Sequence, residues 1–147
     1  MHIRPYRESD ESQVVALWDE CELTRSWNDP REDIARKLCV QRELFLVGTI
    51  AGHVVATIMA GYDGHRGWIN YLGVGVAHRR RGHASALMLR VEQLLSEAGC
   101  PKINLQVRAA NAEALAFYRR AGYAQDEVVS LGKRLAFESG AANRTQE

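Results

Sequence analysis

The stretch VGVAHRRRGHASALMLRVEQLLSEA, residues 74–98, decides how the chain folds. It divides into the end of an apolar strand, a turn with arginine at 79, 80 and 81 followed by Gly82, and a helix that begins near Ala84. In the helix Ala84, Leu87, Met88, Val91, Leu94, Leu95 and Ala98 recur at steps of three and four, which puts them on one face. Ser85, Arg90, Glu92, Gln93, Ser96 and Glu97 take the other face. Gly99 can turn left-handed just past the end, and Pro101 forbids continuation. At the opposite end the first amides lack internal acceptors and the summed peptide dipoles are partly positive. A strand running into such a turn offers the Arg81, Gly82, His83 and Ala84 amides to an anion, with Arg79, Arg80 and Arg81 adding full charges. The turn therefore reads as a diphosphate seat, against the plainer alternative of a solvated arginine-rich bend.

Outward from this stretch, 147 residues with 46% hydrophobic and 25% charged content suit one compact domain, expected over residues 1–138, with a polar tail at 139–147. Lysine and arginine number 19 against 18 aspartates and glutamates, so the basic run is local and a general nucleic-acid binder is not expected. The N-terminal MHIRPYRESDE has no apolar signal core, and the longest apolar run, 54–61, is too short to cross a bilayer. Cys21, Cys39 and Cys100 contain no C-x-x-C pair, and the five histidines show no ligand spacing. Those features predict a soluble protein of a reducing cytoplasm without a metal.

Taken in order, residues 2–7 predict a strand, and Ser9 or Asp10 caps a helix with Val14, Leu17, Trp18 and Cys21 on one face. DPRE at 29–32 reads as a second helix start, with Asp29 as cap, Pro30 in the first turn, and Ile34, Ala35 and Leu38 inward. Residues 44–50 and 54–62 predict a hairpin turned at Ala51-Gly52, and GYDGHRG at 61–67 leads to the strand WINYLGVGV, 68–76. Gly73 and Gly75 within that strand predict a bulge or a close backbone approach. KINLQVR at 102–108 alternates as a strand, Asn111 caps a helix that ends at Gly122, and 123–135 predicts one or two last strands. This order is a mixed α/β domain around one sheet.

The turn RRRGHA, 79–84, fits the pattern Q/R-x-x-G-x-G/A, and VRAANAEALAFYRRAGY, 107–123, supplies a second motif in the right order. On these residues the chain resembles the GNAT superfamily of N-acetyltransferases over nearly its whole length. The resemblance implies a central, mostly antiparallel mixed sheet of six to seven strands, flanked by about four helices and splayed where coenzyme A binds. It implies acetyl-CoA as co-substrate, with the backbone of Leu72, Gly73 and Val74 along the thioester arm. Arg79, Arg80, Arg81, Gly82, His83 and Ala84 would hold the diphosphate, and Asn111 would bond the arm or only cap its helix. The implied reaction is direct acetyl transfer in a ternary complex to a primary amine of a small molecule, a lysine or a peptide N-terminus.

Such a reaction needs a base, because an amine with a pKa near ~10.4 is mostly protonated at neutrality, and an acid for the departing thiolate. By resemblance Tyr118 is the acid; as a residue alone it is equally a core tyrosine. The base is unassigned. Peptide N-terminal acetyltransferases of the ribosomal-protein type, partly similar here, read L-E-V-R-x-x-N with the glutamate as base, whereas residues 105–111 read LQVRAAN, and Gln106 cannot take a proton. Asp63, His65, Asp126 and Glu127 are the candidates. Val76 also stands where relatives commonly carry proline. The acceptor is expected between residues 22–28, with Arg25 and Trp27, and residues 125–127.

A dinucleotide site built on Gly73 and Gly75 fails because His78 occupies the place of the third glycine. The remaining alternative is a non-catalytic acyl-CoA-binding or regulatory module on the same fold, for which Gln106 is the argument. The acceptor's identity and the oligomeric state are not legible, and a homodimer is left open.

Overall fold

The computed structural model describes residues 1–135. Five strands form one sheet in chain order: β1 (His2–Pro5), β2 (Phe45–Ile50), β3 (His53–Tyr62), β4 (Gly67–Val74) and β5 (Ile103–Leu105). The first three pairings are antiparallel and β4 runs parallel to β5. Helices α1 (Glu11–Glu20) and α2 (Pro30–Leu38) join β1 to β2, α3 (His83–Glu97) joins β4 to β5, and α4 (Ala112–Arg120) follows β5. A parallel pair needs such a crossover, and α3 supplies it.

Alternation along the strands sorts side chains into two cores. On one face Leu46, Ile58 and Ala60 meet Leu87, Met88, Val91 and Leu95 of α3, all buried. Removing each of those α3 side chains from water stabilises the fold by about 1.5–3 kcal/mol. On the other face Phe45, Val47 and Met59 meet Val14 and Trp18 of α1 and Ile34 of α2. Tyr6 stacks on Phe45 with ring centroids 4.6 Å apart, closing this second core beneath β1. Asp29 caps α2 as its sequence predicts, accepting from the amides of Arg31 at 2.9 Å and Glu32 at 3.4 Å.

Three expectations are corrected. Asp10 precedes α1 but makes no side-chain cap. Its buried carboxylate instead accepts both guanidinium nitrogens of Arg4, at 2.7 and 2.8 Å, and the Arg7 amide at 2.8 Å. The bulge of β4 lies at neither Gly73 nor Gly75. Thr57 faces Gly73 and Met59 faces Asn70, so Tyr71 and Leu72 together oppose Ile58, with Tyr71 at φ 50°. An added Cβ at Gly73 would stand 2.8 Å from Leu23 Cδ1, the end of a side chain that would have to move aside. Finally, the described sheet has five strands where six to seven were expected. Residues 124–135 lie exposed with no ladder, and Val128, Val129, Leu131 and Leu135 are 78–93% accessible. The expected tail, 139–147, lies outside the described residues.

Candidate functional site

The site begins at the turn between β4 and α3. After β4 a short 3-10 turn, Val76–His78, leads to Arg79 in extended conformation, Arg80 at φ 62° and Gly82 at φ 79°. Gly82 is the residue before α3 and no side chain caps the helix there. The first helical hydrogen bond runs from the Ala86 amide to the Gly82 carbonyl at 3.0 Å, which leaves the preceding amides directed out of the helix end. An added Cβ on Gly82 would meet nothing within 4 Å, so the approach to those amides is open. Arg80 and Arg81 are exposed beside it.

Arg79 is held differently. Its Nε donates to the Val74 carbonyl at 3.0 Å, and the Cys21 thiol donates to the same oxygen at 3.3 Å. The guanidinium is thus folded back on its own strand. Two ring nitrogens, His78 Nδ1 and His83 Nε2, are buried without a hydrogen-bond partner among the described residues. Desolvation, aided by the positive N-terminus, His78 and Arg81, lowers the His83 pKa below its ordinary value, so the ring is neutral at pH 7.

Beside this turn the sheet opens. β4 pairs with β5 only from Gly67 opposite Ile103 to Ile69 opposite Leu105, after which β5 ends and β4 continues to Val74. A cleft of about 2400 Å³ lies there. Asn70, Tyr71 and Leu72 line one side, residues 105–109 line the other, and Asn111 and Tyr118 of the α4 segment close the back. Glu22, Arg25, Asn28, Asp33 and Lys37 reach it from the α1–α2 side, and residues 124–130 border it opposite. Arg108 lies over the Trp27 ring, 5.5 Å from its centroid.

Among the residues singled out from sequence, Leu72, Asn111, Tyr118, Asp126 and Glu127 line this cleft. Gly73 and Val74 and the turn at 79–84 lie outside its lining, as do Asp63 and His65. Asn111 Oδ1 accepts from the Ala114 amide at 3.1 Å and so caps α4. Tyr118 is half-buried, with edge-on contacts to Phe117 and Tyr123 at centroid distances of 5.1 and 5.8 Å. Its hydroxyl has no hydrogen-bond partner among the described residues, and burial pushes its pKa up to about 12.

The base candidates separate by environment. Asp63 Oδ1 accepts from the His65 amide at 2.8 Å and the Arg66 amide at 2.7 Å. Those backbone bonds lower its pKa, which makes it a poor proton acceptor at neutrality. His65 lies exposed in the same turn. Asp126 is paired with Lys102 Nζ at 2.8 Å. Glu127 has no such partner among the described residues. Gln106 Nε2 donates to Ser130 Oγ across the cleft rim. No three His, Cys, Asp or Glu side chains among the described residues converge as a metal site.

Sequence reasoning missed a group in the cleft wall. The Tyr71 ring stacks on Trp18 at 3.7 Å and 7°, and its hydroxyl donates to Asp33 Oδ2. Nothing local marks a tyrosine for positive φ; the closest signal is Thr57, a buried threonine on the neighbouring strand β3.

The sequence pattern of the acetyltransferase (GNAT) family matches residues 5–123. "Acetyltransferase SG1711" of Sodalis glossinidius (strain morsitans) is 52% identical over 136 residues, which are 92% of this chain and 96% of that protein. Among solved structures, the aminoglycoside 6'-N-acetyltransferase AAC(6')-IG of Acinetobacter haemolyticus superposes with a TM-score of 0.75 at 19% identity, covering 92% of this chain and 100% of that one. Ard1 of Thermoplasma volcanium gives 0.70 at 28% identity over 84% of this chain and 82% of its own. With a family match spanning most of its length and a relative identical at half its positions, the chain belongs to the GNAT acetyltransferase family.

Proposed function

We propose that this chain is an N-acetyltransferase that moves the acetyl group of acetyl-CoA directly to a primary amine while both are bound. The observation that carries the reading is Tyr118, which lines the cleft and whose hydroxyl is neutral at pH 7 and has no hydrogen-bond partner among the described residues. In the proposed step the amine nitrogen bonds to the thioester carbon, the carbon–sulfur bond breaks, and Tyr118 gives its proton to the leaving sulfur. The carbonyl oxygen gains negative charge on the way, and one backbone N–H, that of Val74, stabilises it by about 3 kcal/mol. Arg80, Arg81 and the open amides from Arg81 to Ala84 seat the diphosphate, Arg79 braces Val74, and Leu72 and Gly73 flank the arm.

Glu127 is the proposed proton acceptor, because it lines the cleft without the lysine that holds Asp126. The acceptor enters between residues 22–28 and 125–127, where cations and anions both line the walls. An aminoglycoside acetyltransferase and Ard1 share the fold, so small-molecule, lysine and peptide amines all belong in the acceptor panel. The domain is taken as residues 1–138. Three unpaired thiols, Cys21, Cys39 and Cys100, suit a reducing cytoplasm, and no helix among the described residues is long and apolar enough to cross a membrane.

The test follows free thiol released from acetyl-CoA with amines and peptides. Turnover with an acceptor that falls about 10²-fold or more in Tyr118→Phe supports the reading. Gln106 in place of a glutamate favours the second reading, a non-catalytic acyl-CoA-binding module. Tight coenzyme A binding with no turnover on a broad panel would establish that one.

A further inference from the structure

Tyr71 is a non-glycine residue at φ 50° inside a strand, a conformation that persists only where surroundings hold it. The surroundings here hold it at three points. Its ring lies flat on Trp18, which is fully buried. Its carbonyl accepts from Thr57 Oγ1 at 2.9 Å, and Thr57 Oγ1 in turn accepts from Trp18 Nε1 at 2.9 Å. Its hydroxyl donates to Asp33, which Asn28 Nδ2 approaches at 3.2 Å. Thr57 is itself fully buried, and a buried hydroxyl is costly unless both its donor and its acceptor are used. Here both are, and both bonds end on the bulge or on the ring that supports it.

We propose that Thr57, Trp18 and Asp33 are positioning residues that clamp Tyr71 and thereby fix the bulge that aims the backbone of residues 72–74. The inference rests on the reading above, in which that backbone runs beside the thioester arm. It adds three residues from α1, α2 and β3, acting through Tyr71 and not as part of the turn at 79–84. Sheet pairing alone does not call for the arrangement: the ladder shifts by one residue between Thr57 opposite Gly73 and Met59 opposite Asn70, and a plain strand would need neither the strained tyrosine nor the buried threonine. The clamp acts at the acyl end of the ligand, whereas the turn at 79–84 acts at the diphosphate end. The two ends can be assayed separately.

Thr57→Val keeps the shape and removes both hydrogen bonds, while Thr57→Ser keeps both. Binding is measured by calorimetry with acetyl-CoA and with 3'-phosphoadenosine 5'-diphosphate, which lacks the arm. Amide hydrogen exchange is followed at Leu72, Gly73 and Val74. Thr57→Val is expected to weaken acetyl-CoA about tenfold or more and to leave the nucleotide within about twofold. Exchange at the three amides should quicken about tenfold, and Thr57→Ser should match the parent in every readout. Equal weakening of both ligands, or unchanged exchange in folded Thr57→Val, overturns the proposal. Should Thr57→Val not fold, Tyr71→Phe, which removes the hydroxyl bound to Asp33, must quicken the same amides; if it does not, the clamp is refuted. A parent that binds neither ligand removes the functional reading, and the exchange measurement still judges the clamp.

Discussion

Replacing Gly82 by alanine separates backbone strain from ligand access at the turn before α3. At φ 79° a Cβ costs about 1–2 kcal/mol, and because the added atom meets nothing within 4 Å no packing clash adds to it. For a chain of this size that lowers Tm by about 2–8 °C. Binding should suffer more. The methyl stands in the open approach to the helix end, and relaxing the strain rotates the amides at 81–84. Loss of two amide bonds to a charged diphosphate, at about 1.5–3 kcal/mol each, weakens coenzyme A by about a hundredfold or more. Gly82→Asn is the companion, since asparagine accepts the left-handed region at small cost yet still obstructs. Both variants are compared with the parent by thermal unfolding and by calorimetric titration with coenzyme A. If Gly82→Ala loses the expected stability but binds coenzyme A as tightly as the parent, the diphosphate sits elsewhere.

Three further outcomes are expected. Tyr118→Phe should unfold within about 0.5 kcal/mol of the parent, since the lost hydroxyl has no partner among the described residues, while thiol release drops by about 10²-fold. Asp10→Ala leaves the partly buried Arg4 guanidinium and the Arg7 amide without their acceptor and should cost about 1–3 kcal/mol in urea unfolding. The hydrogen bonds from Arg4 lower the Asp10 pKa, so this contribution is complete above pH 3.8 and is lost as pH falls through the lowered value. The His83 pKa lies below 6.5, so its neutral form favours the folded state and stability declines as pH drops through that window. An anion seated beside it raises that pKa, so coenzyme A binding near pH 6 should take up protons, read from titrations in two buffers of different ionisation heat.

The elements that sequence revealed are those whose signals are local. The apolar rows of α3, the Ala51-Gly52 hairpin, the Asp29 and Asn111 caps and the alternation of β5 each depend on neighbours within a few positions. Gly73 and Gly75 predict the bulge because glycine is the residue that ordinarily marks one. Tyr71 carries it instead, held by Trp18, Asp33 and Thr57, which lie 53, 38 and 14 positions away, beyond any local rule. Asp10 likewise has the residue type and position of a cap, whereas Arg4, six residues earlier, claims its carboxylate. Residue type alone points to four bases, and only tertiary placement separates Glu127, in the cleft, from a turn-bound Asp63 outside it and a lysine-bound Asp126.

The two cores lie on opposite faces of a shared sheet, and they own different parts of the cleft. α3, with the arginine turn at its head, is anchored by Leu87, Met88, Val91 and Leu95, while Tyr71 and α2 are anchored by Trp18, Phe45 and Ile34. Each half can therefore loosen on its own, with the strands between them as the last structure to melt.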